Sequence, residues 1–171
     1  MMISLALIGL IPFFNGSSSY LTPSKLTNPI SIVKAQEPAN KIISKIETNE
    51  SPEFNWPVKG YISQTYSFRH KAIDIAATYN NPVSALAEGI VEKVYIDIYG
   101  LGKVIVVKHI DGFRTIYAHL NKILVKENDA VSTGKVIGSI GLTGRTTGAH
   151  LHIELESNGK KIDPTAVLEK R

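Results

Sequence analysis

Four of the five histidines in the chain fall in three short segments whose composition suits metal binding and proton transfer. The densest is His150-Leu151-His152-Ile153-Glu154-Leu155-Glu156. Its strict alternation predicts a half-buried strand with Leu151, Ile153 and Leu155 toward a core. His150 and His152 then share the opposite face, about 6.6–7 Å apart. Two imidazoles so placed can serve one metal ion as ligand and neighbour, and a merely exposed polar face gives the same pattern. The loop before them carries Gly141, Gly144 and Gly148 with Thr143, Thr146 and Thr147, a composition that lets a substrate backbone come close.

The second segment is His70-Lys71-Ala72-Ile73-Asp74-Ile75. Asp74 lies between two isoleucines, where a carboxylate is costly unless paired or metal-bound. Residues four apart in an extended chain are about 13 Å apart, so His70 reaches Asp74 only from a loop that curls back over the strand. The competing partners for Asp74 are Arg69 and Lys71. The third segment, Thr115-Ile116-Tyr117-Ala118-His119-Leu120, places Tyr117 and His119 on one strand face by alternation, with Ile116, Ala118 and Leu120 on the other. His109 ends a hydrophobic run and reads as a structural or supporting residue.

There is no cysteine, so disulfides and thiolate metal sites are excluded. Two histidines and an aspartate suit Zn²⁺ with a fourth position open for water. The remaining histidines are then available for proton transfer, and the combination points to metal-assisted hydrolysis.

The elements that must hold these residues are short and β-rich. Strands are predicted at 60–64, 72–76, 89–96, 103–110, 113–120, 136–140, 150–156 and 160–162, with one helical turn at 164–168. Asp111-Gly112 between two β-branched and aromatic runs predicts a tight hairpin, because both residues tolerate positive φ. The expected fold is mainly β: a single antiparallel domain over 53–168 with loops lining a groove that contains the metal. Residues 17–52 are polar and aperiodic and read as a linker. Residues 1–16 form an apolar run with no Lys or Arg before Lys25, and read as an export or anchor segment. Any membrane contact is expected only through that segment. The formal charge of +4 over 171 residues is mild, and the basic residues form no stripe with aromatics, so no nucleic-acid partner is expected. A biotinyl- or lipoyl-type carrier needs a lysine at its hairpin tip, where this chain has Asp111-Gly112.

These motifs taken together resemble the lysostaphin-type (LytM-type) zinc metalloendopeptidases of bacterial cell walls. The likeness runs from Trp56-Pro57-Val58-Lys59-Gly60 to Ile162-Asp163-Pro164. It includes His70…Asp74, Tyr117-Ala118-His119-Leu120, Thr143-Gly144-Arg145-Thr146-Thr147-Gly148 and His150…His152 in the family's order. The resemblance implies one Zn²⁺ ion held by His70, Asp74 and His152. It implies His150 as general base on the attacking water and His119 as a stabiliser of the charged intermediate. Substrate contacts are expected from Tyr117, Thr143, Gly144, Thr146, Thr147 and Gly148. The implied substrate is a peptidoglycan peptide, cut outside the cytoplasm. The alternative is a non-catalytic relative that activates another wall hydrolase. Ala72 and Asn128 stand where the family usually has glycine, and Arg69 directly precedes His70; none of these removes a ligand.

Overall fold

Runs of β-branched and aromatic residues, cut by Gly, Asn and Asp, fold into eleven strands among the residues described, 52–168, of the computed structural model. The 1–16 segment and nearly all of 17–52 lie outside the described residues. The strands are β1 (Tyr61–Gln64), β2 (Ile73–Ala76), β3 (Pro82–Ser84), β4 (Gly89–Asp97), β5 (Gly102–Lys108), β6 (Phe113–Ala118), β7 (Leu120–Ile123), β8 (Ala130–Val131), β9 (Val136–Ile140), β10 (His150–Ser157) and β11 (Lys160–Ile162). A single 3-10 turn follows at Pro164–Ala166, with the Asp163 carboxylate accepting from the Thr165 N–H.

The main sheet has the order β1-β2-β10-β6-β5-β4-β8, with β11 paired to the second half of β10. A smaller sheet has the order β3-β9-β7. Every pairing is antiparallel. The fold is therefore the mainly antiparallel β domain that the sequence predicts.

Register sorts the side chains into rows across the main sheet. Ile73, Ile153, Tyr117 and Ile105 are cross-strand partners in β2, β10, β6 and β5, and all four are fully buried. They face the smaller sheet, whose Val83, Leu120, Ile137 and Ile140 belong to the same core. The next row, Asp74, His152 and Ala118, lies on the other face. A slip of one residue would exchange the two rows, so burial of the isoleucines, about 1.5–3 kcal/mol each, also fixes where Asp74 and His152 point.

Asp111 and Gly112 adopt φ of 54° and 72°, and the Phe113 N–H donates to the Ile110 carbonyl, giving the expected hairpin turn. The predicted 113–120 strand is in fact two. His119 has φ of 58°, which ends β6 and sends β7 into the smaller sheet. The short strands β3 and β8 carry too little periodicity to be read from sequence.

His109 is buried in the core. Its Nδ1 lies 2.7 Å from the Glu88 carbonyl, which can only accept, so Nδ1 carries the hydrogen. Nε2 then accepts from the Thr115 hydroxyl at 2.8 Å, and Thr115 in turn lies 3.0 Å from the Tyr117 hydroxyl. Burial lowers the His109 pKa to about 4, against the opposing pull of the Glu88 carbonyl and carboxylate. The unfolded chain takes up this proton below about pH 6.5 and the folded chain only near pH 4, so stability falls as pH drops through that window. Between pH 7 and pH 4, urea titrations should show wild type losing about 3 kcal/mol more than His109→Gln. Parallel stability profiles would contradict this assignment.

Candidate metal centre and cleft

The site begins with the face of β10 opposite the core. His152 stands there beside Asp74 of β2, its direct cross-strand partner, with Nδ1 2.8 Å from Oδ1. His70 arrives from the loop before β2. A tight turn in which the Ser67 N–H donates to the His70 carbonyl folds this loop back, bringing Nε2 to 3.3 Å from the same Asp74 oxygen. His150 Nε2 lies 3.8 Å from it. The ion partners of Asp74 are thus histidines. Lys71, one of the competing partners, instead places its ammonium over the rings of Tyr66 and Phe68.

His119 joins the cluster by an exception to strand geometry. Alternation from Tyr117 would turn it into the main core, but its positive φ rotates it to the face of His152. Its ring lies 4.8 Å from that of His150 and 5.7 Å from that of His152. Tyr117 is consequently not on this face. Its side chain is fully buried and its hydroxyl accepts from the Leu86 N–H, so the expectation that it contacts substrate is corrected.

Each imidazole is tethered at the nitrogen remote from the centre or cleft. His70 Nδ1 donates to the Thr65 carbonyl at 3.3 Å, His119 Nδ1 to the Thr143 carbonyl at 2.8 Å, and His150 Nδ1 to the Gly148 carbonyl at 2.8 Å. A carbonyl has no proton to give, so these three rings carry hydrogen on Nδ1 and present Nε2. His152 is held from the other side, with Nε2 3.5 Å from Glu154 Oε1.

Charge is compensated locally. Burial alone would raise the Asp74 pKa, but the His152 hydrogen bond and the positive potential of His152, His70 and His150 bring it below its usual value. Burial disfavours a charged His152, yet its bonds to Asp74 and Glu154 raise its pKa to about 9. His119 is lowered, chiefly by burial, with the Thr143 bond opposing.

These residues line an open cleft of about 440 Å³. Thr146 and Thr147, two of the expected substrate contacts, form part of its wall, together with Gln64, Gly100, Leu101 and Arg145, which the sequence does not single out. The remaining loop residues have supporting positions. The Thr143 hydroxyl donates to the Leu120 carbonyl and accepts from the Lys103 N–H, and the Gly148 carbonyl holds His150. Gly144 has φ of 73°, and a Cβ there would meet the Gly102 nitrogen at 2.3 Å and the Gly100 oxygen at 2.4 Å. Only glycine lets this loop lie against the β4–β5 tip, where the Arg145 N–H donates to the Gly100 carbonyl. That tip is pinned in turn by Asp97, whose carboxylate accepts from the N–H groups of Tyr99, Gly100 and Leu101.

One donor atom each from His70, Asp74 and His152 lies within 4.8 Å of the others. Two imidazole nitrogens and a carboxylate oxygen, with no thiolate, fit a zinc ion whose remaining position opens on the cleft. The sequence profile of Peptidase family M23 matches residues 68–164, more than half of the chain and all five of these site residues. The chain belongs to peptidase family M23. The lysostaphin-type likeness read from the motifs is therefore upheld. Among M23 relatives, the chain is 34% identical over 123 residues to the peptidoglycan DD-endopeptidase ShyC of Vibrio cholerae, covering 72% of this chain and 27% of ShyC. It is 33% identical over 121 residues to the murein hydrolase activator NlpD of Escherichia coli, covering 69% of this chain and 32% of NlpD. A zinc-containing peptidase from Vibrio cholerae superposes with a TM-score of 0.64 at 31% identity, over 69% of this chain and 40% of that one. The chain spans about a quarter to a third of the length of these curated relatives.

The left-handed backbone at His119 gives a direct test. Asn tolerates that conformation and a β-branched residue does not. His119→Val should be less stable than His119→Asn by about 1–2 kcal/mol in urea unfolding. Equal stabilities would mean that residue 119 is not left-handed.

Proposed function

We propose that this domain is a zinc-dependent endopeptidase that hydrolyses peptide bonds of peptidoglycan outside the cytoplasm. The observation that carries the reading is the completeness of the set. Three donors and two further imidazoles with fixed tautomers meet at one open cleft. The relatives named above act on cell-wall murein or on the hydrolases that do, which supports the substrate class and an envelope location.

His70, Asp74 and His152 would hold the zinc ion. Bound zinc supplies Lewis acidity and lowers the pKa of a water to about 7. His150 presents Nε2 beside Asp74, so in its neutral form it takes the proton of the attacking water, and the Gly148 carbonyl keeps the ring aimed while it becomes charged. His119 also presents Nε2, so it donates to an oxyanion only when it carries a second proton. Burial and the neighbouring imidazoles disfavour that form in the resting site, and the negative charge developing in the transition state favours it. Arg145, Thr146 and Thr147 flank the position of the peptide.

The other reading, a regulator of a second wall hydrolase, draws on the relationship to NlpD, an activator by name. An ornamental site would have no need of tethers on all four imidazoles, and this favours the enzyme.

The deciding experiment incubates zinc-loaded protein with purified peptidoglycan and follows new amino termini. Release should depend on zinc, stop with a chelator, and be lost together with metal in Asp74→Ala. His150→Ala should keep its zinc and lose about 10²–10⁴-fold in rate. A folded, zinc-loaded protein that releases nothing from several wall types but stimulates another hydrolase would establish the regulatory reading instead.

A further inference from the structure

Three of the four imidazoles are oriented by backbone carbonyls, from Thr65, Thr143 and Gly148. His152 is different: it stands on a strand, and its remote nitrogen faces a side chain, Glu154. Glu154 lies two residues along β10 on the same face and is 8% exposed. A carboxylate so enclosed needs a partner for each oxygen. Oε2 has Lys161 Nζ at 2.7 Å, from β11, and Oε1 lies 3.5 Å from His152 Nε2. Ile116 is its cross-strand partner in β6. The carboxylate is thus held by Lys161 where it meets the imidazole.

Lys161 has a second attachment. Its backbone carbonyl accepts from the Tyr66 hydroxyl at 2.9 Å, and Tyr66 belongs to the loop that delivers His70. One residue of β11 therefore braces both histidine donors, His70 through the loop and His152 through Glu154.

We propose that Glu154, clamped by Lys161, is the positioning carboxylate of the metal centre, holding Nε2–H of His152 so that Nδ1 faces Asp74 and His70. The inference rests on the metal reading of the site and adds a determinant of it. An imidazole ligand is directional. With the acceptor gone, the ring of His152 is free to turn, and the donor triad has to be assembled at the moment of binding. Outer partners of this kind change metal affinity by about 10–100-fold in other sites.

The test measures the zinc dissociation constant of the full chain by competition with a chromophoric chelator. Glu154→Leu removes the acceptor and should weaken binding about 10–100-fold. Glu154→Gln keeps an acceptor oxygen in the same place and should stay near wild type. The ¹⁵N spectrum of zinc-loaded wild type, which needs no variant to fold, should place the metal on Nδ1 of His152 and hydrogen on Nε2. Wild-type affinity in Glu154→Leu, an equal loss in Glu154→Gln, or metal on Nε2 would each overturn the proposal. A wild-type chain that binds no zinc would overturn the metal reading as well, which separates the two failures.

Discussion

A carboxylate on the open face of an otherwise apolar strand has to be compensated, and the arrangement around Asp74 follows from that requirement. Its cross-strand neighbour supplies His152, the preceding loop folds back to supply His70, and His150 lies just beyond. Mutual compensation alone would make a buried ion-pair cluster with freely turning rings. An outer layer of acceptors orients each ring and leaves its other nitrogen facing the centre or the cleft. The strength of the arrangement lies in its register. The row of isoleucines and Tyr117 that drives the sheet together is one residue out of phase with the row of Asp74, His152 and Ala118, so hydrophobic burial and functional geometry are set by the same pairing.

The cleft walls depend on a different device, close contact between loops from distant parts of the chain. The β4–β5 tip is stiffened by three N–H bonds to Asp97, and the Leu101 carbonyl accepts from the His119 N–H. These N–H groups also hold the Asp97 carboxyl below its usual pKa, the Leu101 bond contributing most. Gly144 then lies against the same tip at a distance that excludes any side chain. Two residues in left-handed conformation, His119 and Gly144, thereby join the strand region to the loops, and both are fixed by backbone hydrogen bonds around them.

Much of this was legible in the sequence because strand periodicity is local. The alternation in 150–156 separates core from site without further information, and Asp74 between two isoleucines announces a partner. The requirement that His70 curl back follows from chain geometry alone. The same periodicity misled at His119. One left-handed residue reversed the face, so Tyr117 went to the core and His119 to the site, and nothing in Tyr117-Ala118-His119 signals the change beyond histidine's modest tolerance of positive φ. Gln64, Leu101 and Arg145 reach the cleft through contacts between segments far apart in sequence, which no local pattern encodes. Glu154 was accessible to the periodicity argument, two residues beyond His152, but its role appears only once Lys161 of β11 is placed beside it.

In the proposed reading, His70, Asp74 and His152 form a preassembled three-donor centre opening on the cleft, with His119 and His150 left free for proton transfer. Anomalous diffraction at the zinc edge from a zinc-soaked crystal tests it most directly. One ion per chain is expected, bonded to Nε2 of His70, a carboxylate oxygen of Asp74 and Nδ1 of His152 at about 2.0–2.2 Å. An ion held instead by His119 or His150, or no ordered ion in the cleft at saturating zinc, would contradict it.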